Sequence, residues 1–135
     1  VKLGDFGISR VLEHTCALAR TIIGTPSHLA PEVCDGQPYG TKADIWSLGV
    51  VFYELLMLEP PFKAASIAAL VIKIINGQPK PLPPEPYHED VRGLVRLLLR
   101  KDPRQRPGAS RILEVKIVRR SLEALSSEDA AACGE

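Results

Sequence analysis

A mainly α-helical fold is what the apolar patterning of this chain predicts, on three observations. The run Ile45 to Leu58 carries hydrophobic side chains on every side of a helix. Two later stretches repeat apolar residues at i, i+3, i+4 and i+7. Strand-like alternation is confined to Val1-Lys2-Leu3, which reads as the tail of a strand whose hairpin partner lies upstream.

Taken in order, residues 8–29 show no sustained period and are rich in Thr, Ser, Gly and Pro, as a long functional loop would be. Pro31 to Cys34 suits one helical turn, stopped by Asp35-Gly36. Thr41-x-x-Asp44 has the spacing of a capping box ahead of the apolar run. A helix apolar all round must be wrapped by other elements, so this one is the expected central strut, ended by Pro60-Pro61. Ile67, Leu70, Val71, Ile74 and Ile75 predict a one-faced helix closed by Asn76-Gly77. Val91, Leu94, Val95 and Leu98 predict another, and a last helix is expected from about Ser110 through Ile112, Leu113, Val115, Ile117 and Val118. After Leu125 the composition turns to Ser, Ala and acids, and fraying is expected.

At 135 residues the chain can bury a real core, and 45% hydrophobic with 24% charged residues is ordinary for a soluble globular protein. The net charge of +1 names no partner. Between Arg92 and Arg120, however, ten Lys/Arg stand against two acids, Asp102 and Glu114. Such a stripe suits nucleic acid, an anionic membrane surface or an acidic partner. The plainer reading is a solvated helical face, and nucleic acid is disfavoured because no aromatic residue interleaves with the charges.

Cys16, Cys34 and Cys133 are too far apart for a disulfide framework or a zinc site, so a reducing compartment is expected. The expected location is cytoplasmic, extending to the nucleus or cytoskeleton. No signal peptide is recognisable, and the longest apolar run, fourteen residues with Glu54 inside it, is too short and too polar to span a bilayer. The connector Pro79 to Pro86 favours polyproline II, and Lys80-x-x-Pro83-x-x-Pro86 has the spacing that SH3-type grooves read; a stiff inter-helix connector is the plainer alternative.

Five motifs fall in one register: Asp5-Phe6-Gly7, Gly24-Thr25-Pro26, Ala30-Pro31-Glu32, Asp44-Ile45-Trp46-Ser47-Leu48-Gly49 and Arg106-Pro107. Through them the chain resembles the C-terminal helical lobe of the protein-kinase-like α+β fold, in eukaryotic Ser/Thr protein kinases, from the metal-binding motif onward. Leu3-Gly4-Asp5-Phe6-Gly7-Ile8-Ser9-Arg10 and Ile23-Gly24-Thr25-Pro26 are most similar to the NIMA-related kinases. The likeness implies a partial kinase domain over residues 1–118, with an activation segment over 5–32 and a helical lobe over 33–118. Residues 119–135 then form an extension.

The resemblance implies a role for each motif. Asp5 would hold Mg²⁺ against the ATP phosphates, since a hard cation wants carboxylate oxygen. Phe6 would pack beneath the helix carrying an ion-pairing Glu, and Gly7 would free the backbone to flip. Thr25 would line the acceptor site, while Thr21, with Thr15 and Ser9 behind it, occupies the place of activation-loop phosphorylation. Glu32 and Arg106 would form a buried ion pair tying the segment to the helical base. Asp44 would anchor the catalytic loop, or serve only as a helix cap. Ser27-His28 stands where relatives generally carry two tyrosines, so substrate preference does not transfer.

The catalytic base, the phosphate-pairing Lys and the Gly-rich loop have no counterpart between Val1 and Glu135 and are expected upstream. The chain thus reads as part of a Ser/Thr kinase that transfers the ATP γ-phosphate to protein hydroxyls, expected to be inactive alone. A non-catalytic interaction module built from a truncated kinase lobe is the alternative.

Overall fold

Pro31 at the first helical position needs no amide donor, and it opens α1 (Pro31–Cys34). In the computed structural model, which describes residues 26–132, α1 ends where expected: Gly36 takes a left-handed φ of 67° that few side chains tolerate. Ahead of it, Pro26–His28 make a single 3-10 turn. The strand expected at Val1-Lys2-Leu3 and most of the loop expected over residues 8–29 lie outside the described residues. Within them every regular element is helical.

The strut is α2 (Thr41–Met57), and its start differs from the capping-box reading. Gly40 is the N-cap and Thr41 already lies inside the helix, so no side chain caps it. The first turn is fixed from outside instead, because Arg106 donates to the Lys42 carbonyl at 2.5 Å and the Lys42 ammonium donates to the Arg106 carbonyl. Asp44 still places a negative charge in the first turn, where the helix dipole favours it. At the other end α2 stops at Met57, with Leu58 left-handed at φ 54°, two residues before Pro60. Pro60 restricts Glu59 to extended backbone, so the helix must end earlier than the prolines themselves.

Trp46, Val50 and Tyr53 run down the buried side of α2, and Trp46 stacks on Phe62 at 6.0 Å between ring centroids. Ile74 of α3 (Ile67–Asn76), Leu82 of the connector, and Val95 and Leu99 complete this cluster. Ser66 caps α3 by accepting from the Ala69 amide at 3.2 Å. The α3 face is narrower than its periodicity suggested: Ile74 is fully buried and Leu70, Val71 and Ile75 are half-buried, but Ile67 is exposed. Nor is α2 wrapped by the described residues. Leu48, Val51 and Leu55 form an exposed stripe along it, Leu55 at 71%.

The second cluster joins Ile45 to Leu94 and Leu98 of α4 (Glu89–Leu98) and to Ile112. Here the single helix expected from Ser110 divides into α5 (Ala109–Leu113) and α6 (Lys116–Ala132). On one straight helix, Ile117 and Val118 would point about 140° and 240° away from Ile112. The break at Glu114-Val115 lets all of them reach the same cluster. Residues 126–132, where fraying was expected, are helical in α6. Side chains from Arg119 to Ser127 are exposed, so this stretch rests on helix propensity rather than packing. No helix among the described residues is long and apolar enough to cross a membrane.

α2 packs tightly on the end of α4 at Gly49. A Cβ there would stand 2.8 Å from Leu98 Cβ and 3.0 Å from Leu99 Cδ2. Gly49→Ala is therefore expected to destabilise the fold by about 1–3 kcal/mol through overpacking. Gly93 offers the control, since its Cβ would meet only Arg96 Nη2 at 3.8 Å. Gly93→Ala should be neutral or gain about 0.5–1 kcal/mol of helix propensity. Urea melts of both variants decide the matter, and equal midpoints would refute the close-packing argument.

Candidate functional site

Arg106 is 1% exposed and Glu32 5%, a depth at which neither charge survives unpaired. They meet as a fork: Nη1 donates to Glu32 Oε1 at 2.8 Å and Nη2 to Oε2 at 3.0 Å. The remaining three N–H groups donate to the Arg100 carbonyl at 3.0 Å, the Lys42 carbonyl at 2.5 Å and the Lys101 carbonyl at 3.3 Å. Every guanidinium donor is thereby used. One side chain fixes the end of the 26–34 segment, the start of α2 and the turn after α4.

Trp46 lies beneath this clamp, with the Arg106 guanidinium carbon 5.2 Å from its ring centroid. Lys101 lies 5.0 Å from the same ring's centroid and 4.2 Å from that of Phe62, and its ammonium donates to the Ile74 carbonyl. Burial pushes the Lys101 pKa down to about 8; Cys34 pulls it upward and the Arg106 charge pushes it further down. The Cys34 thiol, free and half-buried, is itself raised, by burial first and by Glu32 second. A raised pKa makes it a poor thiolate.

The segment before α1 is tied to α2 independently. His28 Nε2 lies 3.2 Å from Glu54 Oε2, and His28 Nδ1 lies 3.2 Å from Ser27 Oγ. Ser47 Oγ donates to the His28 carbonyl at 3.0 Å. When the Ser27 hydroxyl donates to Nδ1, the ring proton sits on Nε2 and faces the carboxylate. Sequence reading missed Glu54 as a partner, although a lone acid inside a fourteen-residue apolar run was the signal that something had to meet it.

Among the residues singled out from sequence, the structure brings Glu32 and Arg106 together. Asp44 is exposed in the first turn of α2, with no hydrogen-bond partner among the described residues. Asp5, Phe6, Gly7, Thr15, Thr21 and Thr25 lie outside the described residues. Among those described, no three His, Cys, Asp or Glu side chains gather to hold a metal ion. The basic stripe is largely spent on internal pairing: Arg92 and Arg96 share Glu89, Arg104 takes Asp102, and Arg111 takes Glu114.

The chain belongs to the protein kinase domain family, which matches residues 1–118. It is 48% identical over 123 residues to serine/threonine-protein kinase Nek1 of Mus musculus, covering 91% of this chain and 10% of that protein. Serine/threonine-protein kinase Nek5 of Homo sapiens is 46% identical over 113 residues, 84% of this chain and 16% of its own length. Probable serine/threonine-protein kinase nek3 of Dictyostelium discoideum is 44% identical over 123 residues, 90% of this chain and 11% of its own length. These relatives agree with the NIMA-related resemblance. The chain spans between a tenth and a sixth of their lengths.

Two outcomes are expected. Arg106→Met or Glu32→Gln alone should cost about 3–5 kcal/mol, because each strands a buried partner. Replacing both by apolar residues should cost less than the sum of the singles. A single variant with an unchanged urea midpoint would contradict the clamp. For Lys101, the native pKa of about 8 lies below the ordinary 10.5. Between these values the unfolded chain binds more protons, so stability rises with pH through that window. Lys101→Met should flatten the rise, measured as the difference between wild-type and variant melts from pH 7.5 to 10.

Proposed function

We propose that this chain is the substrate-binding half of a NIMA-related Ser/Thr protein kinase, which moves the γ-phosphoryl group of ATP to serine and threonine hydroxyls of protein substrates. The observation that carries the reading is the kinase-domain match over residues 1–118, whose activation segment ends in the Glu32–Arg106 fork. Phosphoryl transfer asks a protein mainly for positioning and charge neutralisation. A substrate loop displaced by an ångström loses much of the rate, so a loop bolted at Glu32 and again at His28 suits that demand.

In this reading Asp5 holds Mg²⁺, which supplies charge neutralisation at the ATP phosphates. Phe6 and Gly7 set the position of that carboxylate. Thr25 lines the acceptor hydroxyl's site, and Thr21 or Thr15 receives the activating phosphate. The base and the phosphate-pairing lysine have no counterpart in the 135 residues, so the chain alone is proposed to be inactive. The protein is proposed to work in a reducing compartment, the cytoplasm, with access to the nucleus or cytoskeleton.

A second reading, a non-catalytic interaction module, draws on the exposed Leu48–Val51–Leu55 stripe, which is apolar enough to seek a partner. Lys80, Pro83 and Pro86 are all exposed, which keeps an SH3-type partner as a lesser proposal.

The whole protein carrying this chain, given ATP, Mg²⁺ and casein, should transfer phosphate at a rate abolished by Asp5→Ala. The 135-residue chain by itself should transfer none. Wild-type protein without transfer would leave the interaction module as the surviving reading, and undiminished transfer in the Asp5→Ala variant would refute the role given to Asp5.

A further inference from the structure

Beside α4 lies a groove of about 500 Å³ whose lining includes neither Arg106 and Glu32 nor the segment before α1. Tyr53, Leu82, Val95 and Leu99 give it an apolar floor. Its wall is the connector, held down because the Tyr53 hydroxyl donates to the Lys80 carbonyl at 2.9 Å. Lys80, Arg96 and Arg100 are exposed along the edge. Their charges are only partly cancelled. Arg96 shares the single carboxylate of Glu89 with Arg92, and Arg100 donates only to the Gln105 carbonyl. Lys80 has no carboxylate partner among the described residues. Arg92 also lines the groove, and its buried Nε has no acceptor among the described residues.

We propose that this groove is a docking site for an acidic peptide segment carrying an apolar side chain. Charge complementarity selects the ligand class: Lys80, Arg92, Arg96, Arg100 and Lys101 outnumber Asp102, the acid of the lining, around an apolar floor, the arrangement by which arginine clusters read acidic motifs. Shape selects a chain over a compact ion. The groove is in the size range of true ligand sites, and a second cleft of about 350 Å³ shares Tyr53, Gln78 and Lys80 with it, prolonging the track. Nucleic acid is disfavoured, because Tyr53 in the groove is buried with its hydroxyl engaged and Phe62 in the second cleft lies under Lys101, leaving no ring of either cleft to stack a base. A membrane surface would meet the rim alone and leave the floor empty. The site does not depend on phosphoryl transfer, and it accounts for cations that the internal pairing leaves over.

The test is fluorescence anisotropy on the 135-residue chain with a labelled peptide of glutamates flanking a central Leu-Phe. Saturable binding is expected, weakened about tenfold in Arg96→Glu/Arg100→Glu and also in Lys80→Glu, and unchanged in Arg111→Glu on the distant α5. Matching thermal melts exclude unfolding of these surface variants. Replacing Leu-Phe by Gly-Gly should abolish saturation, since the floor then has no occupant. The proposal is overturned by absent saturation, by equal loss in Arg111→Glu, or by undiminished binding of the Gly-Gly peptide. Displacement by a thymidine oligonucleotide or by phosphatidylserine vesicles as readily as by unlabelled peptide also overturns it, since the rim would then attract any polyanion.

Discussion

The fold turns on a single guanidinium. Arg106 has five donors in a rigid plane, and the protein supplies five acceptors for them: two carboxylate oxygens and three backbone carbonyls. A buried ion pair of itself is a weak source of stability, since desolvation offsets much of the attraction. What this one provides is position. The carbonyls belong to stretches distant in sequence, at Lys42 and at Arg100-Lys101, so the fork sets the mutual placement of three chain segments. Trp46 and Phe62 give the cations a polarisable bed, which lets Lys101 lie inward without a carboxylate of its own.

Around this centre α2 divides its labour by face. Trp46, Val50 and Tyr53 fill the core, while Glu54 reaches the His28 ring and Ser47 the His28 carbonyl. The segment leading into α1 is therefore joined to the strut by side chains and to the far end of the lobe by the fork. Consecutive residues serve different ends: Tyr53 pins the connector that walls the groove, and Glu54 pins the loop.

Much of this was readable before any coordinates. Gly36, Asn76-Gly77 and the period of Val91 to Leu98 located helix ends and faces because local chemistry decides them. Reading failed where a distant residue overrode a local signal. Thr41 and Asp44 have capping spacing, yet Arg106 already holds the first turn. Ile112 to Val118 looks like one helix, yet three of its apolar residues converge only if the helix breaks. The stripe of positive charge was visible as composition, but which cations were spent and which left over depended on how Glu89 and Asp102 turn toward their neighbours and on Glu32 arriving from elsewhere. Of the candidate site, the fork was legible through family motifs, whereas the His28–Glu54 contact required knowing which side of α2 faces the loop.

Gly49 does not touch the fork, yet it packs against Leu99 in the floor of the groove and acts as a shim between the two. Its missing methyl lets the backbone of α4 settle against α2 at Leu98 and Leu99, and the next residues, Arg100 and Lys101, offer the carbonyls that Arg106 needs. Interhelical spacing is thus transmitted along two peptide units into the alignment of a guanidinium plane. A hydrogen atom in place of a side chain calibrates, from across the lobe, how squarely Glu32 and α1 are seated.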